Sequence, residues 1–119
     1  MSADGGFQDE QAWFAVRCVF ACGWASADVG RPLYEERITL WRAPNVEDAV
    51  ERAEADAEAY AATIEEAPDT YLGLAQAYRL DGEPGDGAEL FSLMRESTLA
   101  PEVYLDAFFD TGTERSREL

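Results

Sequence analysis

Five polar residues, all on predicted strands, could together bind a small molecule or catalyse a reaction. Arginine guanidinium groups bind carboxylates and phosphates through paired hydrogen bonds. A glutamate whose pKa is raised by burial can act as a general base. One hypothesis is therefore a small-molecule or enzymatic site on a sheet face, with the arginines holding the ligand and the glutamate as the base. The residues of this site are Arg17, Glu35, Arg37, Gln76 and Tyr78.

The same residues have a simpler, structural explanation. Glu35 and Arg37 are two positions apart, so they share one face of an extended strand. Arg17 on a neighbouring strand would lie across from them, and such cross-strand ion pairs are ordinary on a half-exposed sheet. We favour this explanation over the enzymatic one.

A second candidate site is a stripe of acidic residues on a predicted helix, residues 45–66. This segment carries eight acidic residues against Arg52 as its single base. Like charges three or four residues apart repel each other on a helix, and a solvated face is the simpler explanation of the pattern. The alternative is a docking surface for a basic protein such as a toxin or effector, which would make this an immunity-like or inhibitor-like protein. We define the acidic stripe as Glu47, Glu51, Glu54 and Glu58.

The charge balance excludes several partners. The 119 residues contain 25 acids against 9 bases, which gives a net charge of −16. Such a chain repels nucleic acids and anionic membranes. No apolar run approaches the ~20 residues that span a bilayer, and the polar start does not resemble a signal peptide. We therefore expect a cytoplasmic protein that binds neither nucleic acid nor membrane.

The residue types also limit the chemistry. The chain has no histidine, which excludes histidine-based catalytic triads and two-histidine zinc sites. Cys18 and Cys22 would lie ~13 Å apart on one face of a strand, too far for a disulfide. The carboxylate-rich turn at residues 81–87 does not match the spacing of an EF-hand loop. We therefore expect no metal and no cofactor.

The hydrophobic pattern predicts six elements around one central strand. Residues 12–22 are apolar on both faces, which is typical of a strand in the middle of a covered sheet. Strands are also predicted at 33–43, 70–80 and 88–96, and helices at 45–66 and 99–109. Asn45 is a favourable N-cap for the first helix, and the second has a broad apolar face that should be buried.

This order predicts an α+β fold. It is a ββαββα chain with a four-stranded antiparallel sheet of spatial order 2-1-3-4 and both helices on one face. Residues 1–11 should form a disordered arm, 12–112 a single domain and 113–119 a frayed tail. The other sheet face would expose Trp13, Val19, Trp41 and small residues of the third strand, so we expect a homodimer through that face or, failing that, a ligand groove there.

The sequence of five stretches is characteristic of a known family: 13–17, 34–37 with 40–42, 71–78, 84–92 and 104–110. In these segments the chain resembles the bacterial "domain of unknown function 4288" family, over about residues 13–113. The long acidic loop before Tyr34 departs from the family. The resemblance implies a small bacterial cytoplasmic protein. The family has no assigned activity, so it transfers no functional residues.

We rank a non-enzymatic protein-binding role, as a homodimer, first among the functions. A plain accessory subunit comes second, and a small-molecule binder or enzyme on the sheet face comes third.

Overall fold

The protein has an α+β fold in the computed structural model, which describes residues 10–23 and 32–116. The described strands are β1 (Ala12–Ala21), β2 (Tyr34–Ala43) and β3 (Thr70–Arg79). The helix α1 (Val46–Ala61) connects β2 to β3. Near the C-terminus, the short helix α2 (Pro101–Tyr104) continues directly into a π-helical turn (Leu105–Phe109).

The strand β1 is the centre of the sheet, as its two apolar faces predict. The order is β2-β1-β3, and both pairings are antiparallel. Phe14 of β1 lies between Trp41 of β2 and Arg79 of β3. The pairing of β1 with β3 shifts between Cys18 and Phe20. Gly73 lies in this irregular part of β3 with a φ of +80°, a conformation that favours glycine.

The core lies between α1 and one face of the sheet. The fully buried side chains that the helix contributes are all small, namely Ala49, Ala53, Ala57 and Ala61, each at most 5% exposed. Tyr60, near the end of the helix, packs its ring against Phe20 at the edge of this core. These alanines let the helix axis approach the sheet closely. Phe20 and Val16 of β1 are the largest fully buried side chains, and each contributes about 1.5–3 kcal/mol by leaving water.

The first turn of α1 is capped as the sequence predicts. The Asn45 side chain accepts a hydrogen bond from the backbone N–H of Asp48, with an N–O distance of 2.8 Å. The helix ends at Ala61, five residues before the predicted end at residue 66. Residues 62–67 form a bent connection instead, which brings the chain to β3.

The predicted fourth strand is not present in the described structure. Residues 88–98 have no regular secondary structure and belong to no sheet. The turn before them, with Gly82 and Gly87 at positive φ, leads the chain toward the face of the sheet instead of along the edge of β3. The Phe91 ring consequently lies 5.8 Å from the Tyr78 ring. The structure therefore shows three strands among the described residues, and the order 2-1-3-4 is not observed.

The second helix forms close to its predicted position but does not cover the sheet beside α1. Its large apolar side chains are exposed, with Val103 at 51%, Phe108 at 47% and Phe109 at 76%. The sequence pattern predicts that this apolar face is buried, and in the single chain it is not.

Both predicted terminal segments fall partly outside the described residues. Of the disordered arm predicted at residues 1–11, only residues 10 and 11 are described, and of the tail at 113–119, residues 113–116. Most of the loop between β1 and β2 also lies outside the description. Within the described chain, each helix is too short or too polar to cross a lipid bilayer.

Candidate functional site

The sheet face opposite α1 is the principal candidate site, and we call it the open face. Alternation along the strands places Trp13, Arg17 and Val19 of β1 on this face, since their neighbours Phe14, Val16, Cys18 and Phe20 lie in the core. The outer strands leave large apolar side chains uncovered here. They are Tyr34 (58% exposed), Ile38 (48%), Leu40 (38%), Leu72 (47%) and Leu74 (69%).

Three of the five predicted ligand-binding residues meet on the open face. Arg17 donates a hydrogen bond from Nη2 to Oε1 of Gln76 at 2.6 Å, across the β1–β3 pairing. Its guanidinium also lies 5.5 Å from the centre of the Phe91 ring. Tyr78 donates a hydrogen bond to the Glu89 carboxylate. The contacts of Arg17 and Tyr78 therefore hold the start of the C-terminal part of the chain against the sheet.

The other two predicted residues, Glu35 and Arg37, lie on the opposite face, under α1. Arg37 is paired with Asp56 of the helix at an N–O distance of 3.0 Å. Its guanidinium carbon lies 3.8 Å from the centre of the Tyr60 ring. The Tyr60 hydroxyl donates to both carboxylate oxygens of Glu35, at 2.9 and 3.0 Å.

The register explains this division. Arg37 pairs with the core residue Cys18, so its side chain points toward α1. The residue of β2 that approaches Arg17 is Glu36, with 3.8 Å between Nη1 and Oε1. A single pocket containing all five residues is therefore not formed, because the sheet separates the two groups.

A tyrosine, a glutamate and a cysteine form a second polar group under α1. Tyr71 donates a hydrogen bond from its hydroxyl to Glu54 at 2.5 Å. Burial, together with this hydrogen bond, raises the pKa of Tyr71. Burial also raises the pKa of the Cys18 thiol above its usual 9.0. Cys18 is therefore protonated near neutral pH and is a poor nucleophile.

Cys22, Glu35 and Asp69 form the one described group with the geometry of a metal site. One ligand atom of each residue lies within 4.8 Å of the others. The carboxylates already accept protein hydrogen bonds, since Tyr60 donates to Glu35 and the Gly23 backbone N–H donates to Asp69 at 3.1 Å. These bonds account for the positions of both carboxylates. The sequence alone did not predict this group, because only the strand register brings the three residues together.

The acidic stripe divides into two kinds of residue. Glu47, Glu51 and Glu58 are exposed and have no ion-pair partner among the described residues. Glu54 is partly buried and accepts the hydrogen bond from Tyr71. The single base of the helix, Arg52, is bonded elsewhere: its Nη1 donates to the carbonyl oxygen of Arg42 at 2.9 Å. The exposed part of the stripe is therefore purely negative.

Comparison with known proteins found no matching family model, no matching curated protein and no matching solved structure. The resemblance to the domain of unknown function 4288 family stays a prediction from the sequence.

Proposed function

We propose that this protein is a non-enzymatic protein-binding domain that acts as a homodimer through the open face of its sheet. The observation that carries the proposal is the set of apolar side chains on β2 and β3 that the single chain leaves uncovered, up to 69% exposed at Leu74. Contiguous apolar patches of this kind are uncommon on monomers and are typical of protein interfaces.

The arrangement of polar residues supports binding over catalysis. The arginine on the open face, Arg17, and the candidate base, Glu35, lie on opposite sides of the sheet. Arg17 is already bonded to Gln76 and approaches Glu36. In the runner-up function, a small-molecule site on the sheet face, a ligand held by Arg17 would compete with these contacts and would be separated from Glu35 by the sheet.

The proposal keeps the bacterial origin and cytoplasmic location that the family resemblance implies. It also keeps the first part of the predicted fourth strand 88–96, residues 88–92, as a strand that forms when the dimer assembles. The outer edge of β3 is unpaired in the described sheet, and a strand added there would give the order 2-1-3-4.

The oligomeric state tests the homodimer directly. We would measure the mass of the full chain by native mass spectrometry and by light scattering at micromolar concentration. We expect a dimer for the natural chain and a monomer for Ile38→Glu, which places a charge on the open face. Ile64→Glu is the matched control, because Ile64 is exposed to a similar extent (38%) but lies beyond the end of α1. A monomeric natural chain would contradict the proposal.

A second candidate function is the capture of a basic protein on the acidic stripe, as in an immunity or inhibitor protein. The supporting observation is that Glu47, Glu51 and Glu58 are exposed and have no ion-pair partner among the described residues, while Arg52 is turned away from them. Electrostatic complementarity of this kind mainly accelerates association and selects the partner.

The test is the combined reversal of these three glutamates to lysine. Glu54 is left unchanged, because its hydrogen bond with Tyr71 stabilises the fold. The control reverses Asp81, Glu83 and Asp86, which are also exposed and change the net charge equally. A basic protein captured by the natural chain and by the control, but not by the stripe variant, supports this function. Equal capture by both variants contradicts it.

A further inference from the structure

The chain has a second apolar surface, on residues 93–109, which we call the C-terminal segment. Met94 is 92% exposed and Phe109 is 76% exposed. The other large apolar side chains of the segment are between 41% and 51% exposed: Leu93, Leu99, Val103, Leu105 and Phe108. Nothing in the composition of this segment resembles a solvated tail.

The contacts of the C-terminal segment stay near the segment itself. Arg95 donates a hydrogen bond to the Tyr104 hydroxyl at 2.7 Å and lies 4.3 Å from the centre of the Phe108 ring. The Tyr104 and Phe108 rings are 5.0 Å apart. Among the described residues, no hydrogen bond, ion pair or ring contact joins residues 93–109 to the sheet or to α1. The segment is therefore ordered internally but has no partner for its apolar side chains.

The last contact between this part of the chain and its own sheet is made by Phe91. This ring lies over Arg17 and beside Tyr78, at the β1–β3 side of the open face. The β2 side of the open face, with Tyr34, Ile38 and Leu40, remains exposed. Each chain thus presents one uncovered apolar face and one uncovered apolar segment.

The size of these surfaces is that of a stable interface. Aromatic side chains carry about 150–250 Å² of surface each, and the aliphatic side chains of these surfaces are at the lower end of this range or a little below it. At the exposed fractions given above, the two surfaces together expose on the order of 1,000 Å² in each chain. Two chains would then bury about 2,000 Å² in total, which is within the range of specific, stable dimers.

The charges of the two surfaces are also complementary. Arg42 lies on the open-face side of β2 and is exposed. Its side chain has no ion-pair partner among the described residues. Glu102 and Asp106 are exposed on consecutive turns of the C-terminal segment, again without an ion-pair partner in the described chain. The segment of one chain can therefore meet an unpaired arginine on the face of another.

We propose that two copies of this chain exchange their C-terminal segments, so that residues 93–109 of each chain cover the open face of the other. The inference rests on the proposed homodimer and specifies what lies in its interface. A reciprocal exchange forms two identical contacts related by a twofold axis, and such an arrangement closes without leaving a free surface for a third copy.

Mixing two variants that are defective in different surfaces tests the exchange. The face variant is Ile38→Glu with Leu40→Glu, and the segment variant is Phe108→Glu with Phe109→Glu, all in the full chain. Both contacts are damaged in a homodimer of either variant. In a mixed dimer, the intact segment of the face variant meets the intact face of the segment variant, so one contact is fully restored.

We expect each variant alone to dimerise at least tenfold more weakly than the natural chain. An equimolar mixture should give a heterodimer of intermediate strength, resolved by its mass in native mass spectrometry. The control mixes two different face variants, Ile38→Glu and Leu74→Glu, and should give no such recovery. The same substitutions to alanine should repeat the pattern with smaller effects, which separates loss of contact from unfolding caused by the added charge.

Two results would overturn the exchange and leave the homodimer intact. One is a segment variant that dimerises as strongly as the natural chain while the face variant is monomeric. The other is a mixture that forms no heterodimer although both variants are folded by circular dichroism. A natural chain that is monomeric would instead overturn both proposals.

Discussion

The hydroxyl of Tyr71 donates a hydrogen bond to the carboxylate of Glu54, with 2.5 Å between the two oxygens. It is the shortest hydrogen bond between β3 and α1 among the described residues. The Cys18 thiol lies close enough to the same tyrosine for a hydrogen bond. The contact joins the third strand to the helix at the edge of the core, where the buried alanines provide no polar interaction.

The first prediction concerns alkaline pH. The folded chain raises the pKa of Cys18 above 9.0 and that of Tyr71 above 10.0, so the unfolded chain loses these protons first. Both groups therefore stabilise the fold fully below about pH 9, and that stability is lost as the pH rises further. We expect the free energy of unfolding in urea to fall progressively from pH 9 to pH 11. Tyr71→Phe should reduce the slope above pH 10, and an unchanged slope in this variant would contradict the assignment.

The second prediction is the cost of removing the same hydroxyl at neutral pH. Tyr71→Phe leaves the Glu54 carboxylate partly buried without its donor, so we expect a loss of about 1–3 kcal/mol in the free energy of unfolding. Tyr34→Phe is the control, because Tyr34 is exposed on β2 and has no side-chain hydrogen bond in the described structure. Urea denaturation of both variants at pH 7 measures the difference, and equal stability would exclude a stabilising role for the bond.

The third prediction concerns the close packing of α1. Ala57 is 1% exposed against the sheet, so Ala57→Leu must displace either the helix or the strands. We expect a loss of about 1–3 kcal/mol, the usual cost of overfilling a packed core. Ala59→Leu makes the same change on the exposed side of the helix and should alter the thermal midpoint little. If the two variants had the same thermal midpoint, the helix would not approach the sheet as described.

The fourth prediction separates the two proposed interfaces by their response to salt. Each chain carries a net charge of −16, so two copies repel each other, and salt screens this repulsion. We expect the homodimer to become several-fold tighter between 50 and 500 mM NaCl (a range of roughly 14 to 4 Å in screening length), as measured by sedimentation equilibrium. A basic protein on the acidic stripe should bind more weakly over the same range. A homodimer that weakens with salt would mean that charge pairing, not apolar contact, dominates its interface.

Much of the first half of the fold could be predicted from local patterns. The apolar residues on both faces of β1 predict a central strand, and the structure confirms it. The cap at Asn45 and the alanine face of α1 predict a helix packed closely on the sheet, which is also confirmed. Each of these signals depends only on residues close together in the sequence. They therefore hold whichever strands pair in the sheet.

The candidate site was harder to predict, because it depends on register. Alternation shows that Glu35 and Arg37 share a face, but it does not show which face of β1 lies beside them. The pairing of Cys18 with Arg37 and of Val19 with Glu36 decides this. Trp41 was similarly expected on the uncovered face, yet it packs beside the core because it pairs with Phe14.

The C-terminal third could not be placed by pattern either. Alternation in residues 88–96 predicts a strand, and the apolar face of residues 99–109 predicts a helix that packs on another surface. They contain no information about whether the partner is in the same chain. In the described structure, Glu89 and Phe91 contact the sheet of their own chain, while the apolar side chains of residues 93–109 stay exposed. This is the reason for the proposed exchange.

The outer edges of β2 and β3, unpaired within residues 10–23 and 32–116, have a consequence for handling the protein. Unprotected edge strands can pair with strands of other molecules and start aggregation. The large negative charge opposes such encounters, but it disappears near the isoelectric point, about 4.1. The acidic residues, those of the stripe among them, therefore also oppose fibrous self-association, and buffers near the isoelectric point remove this protection.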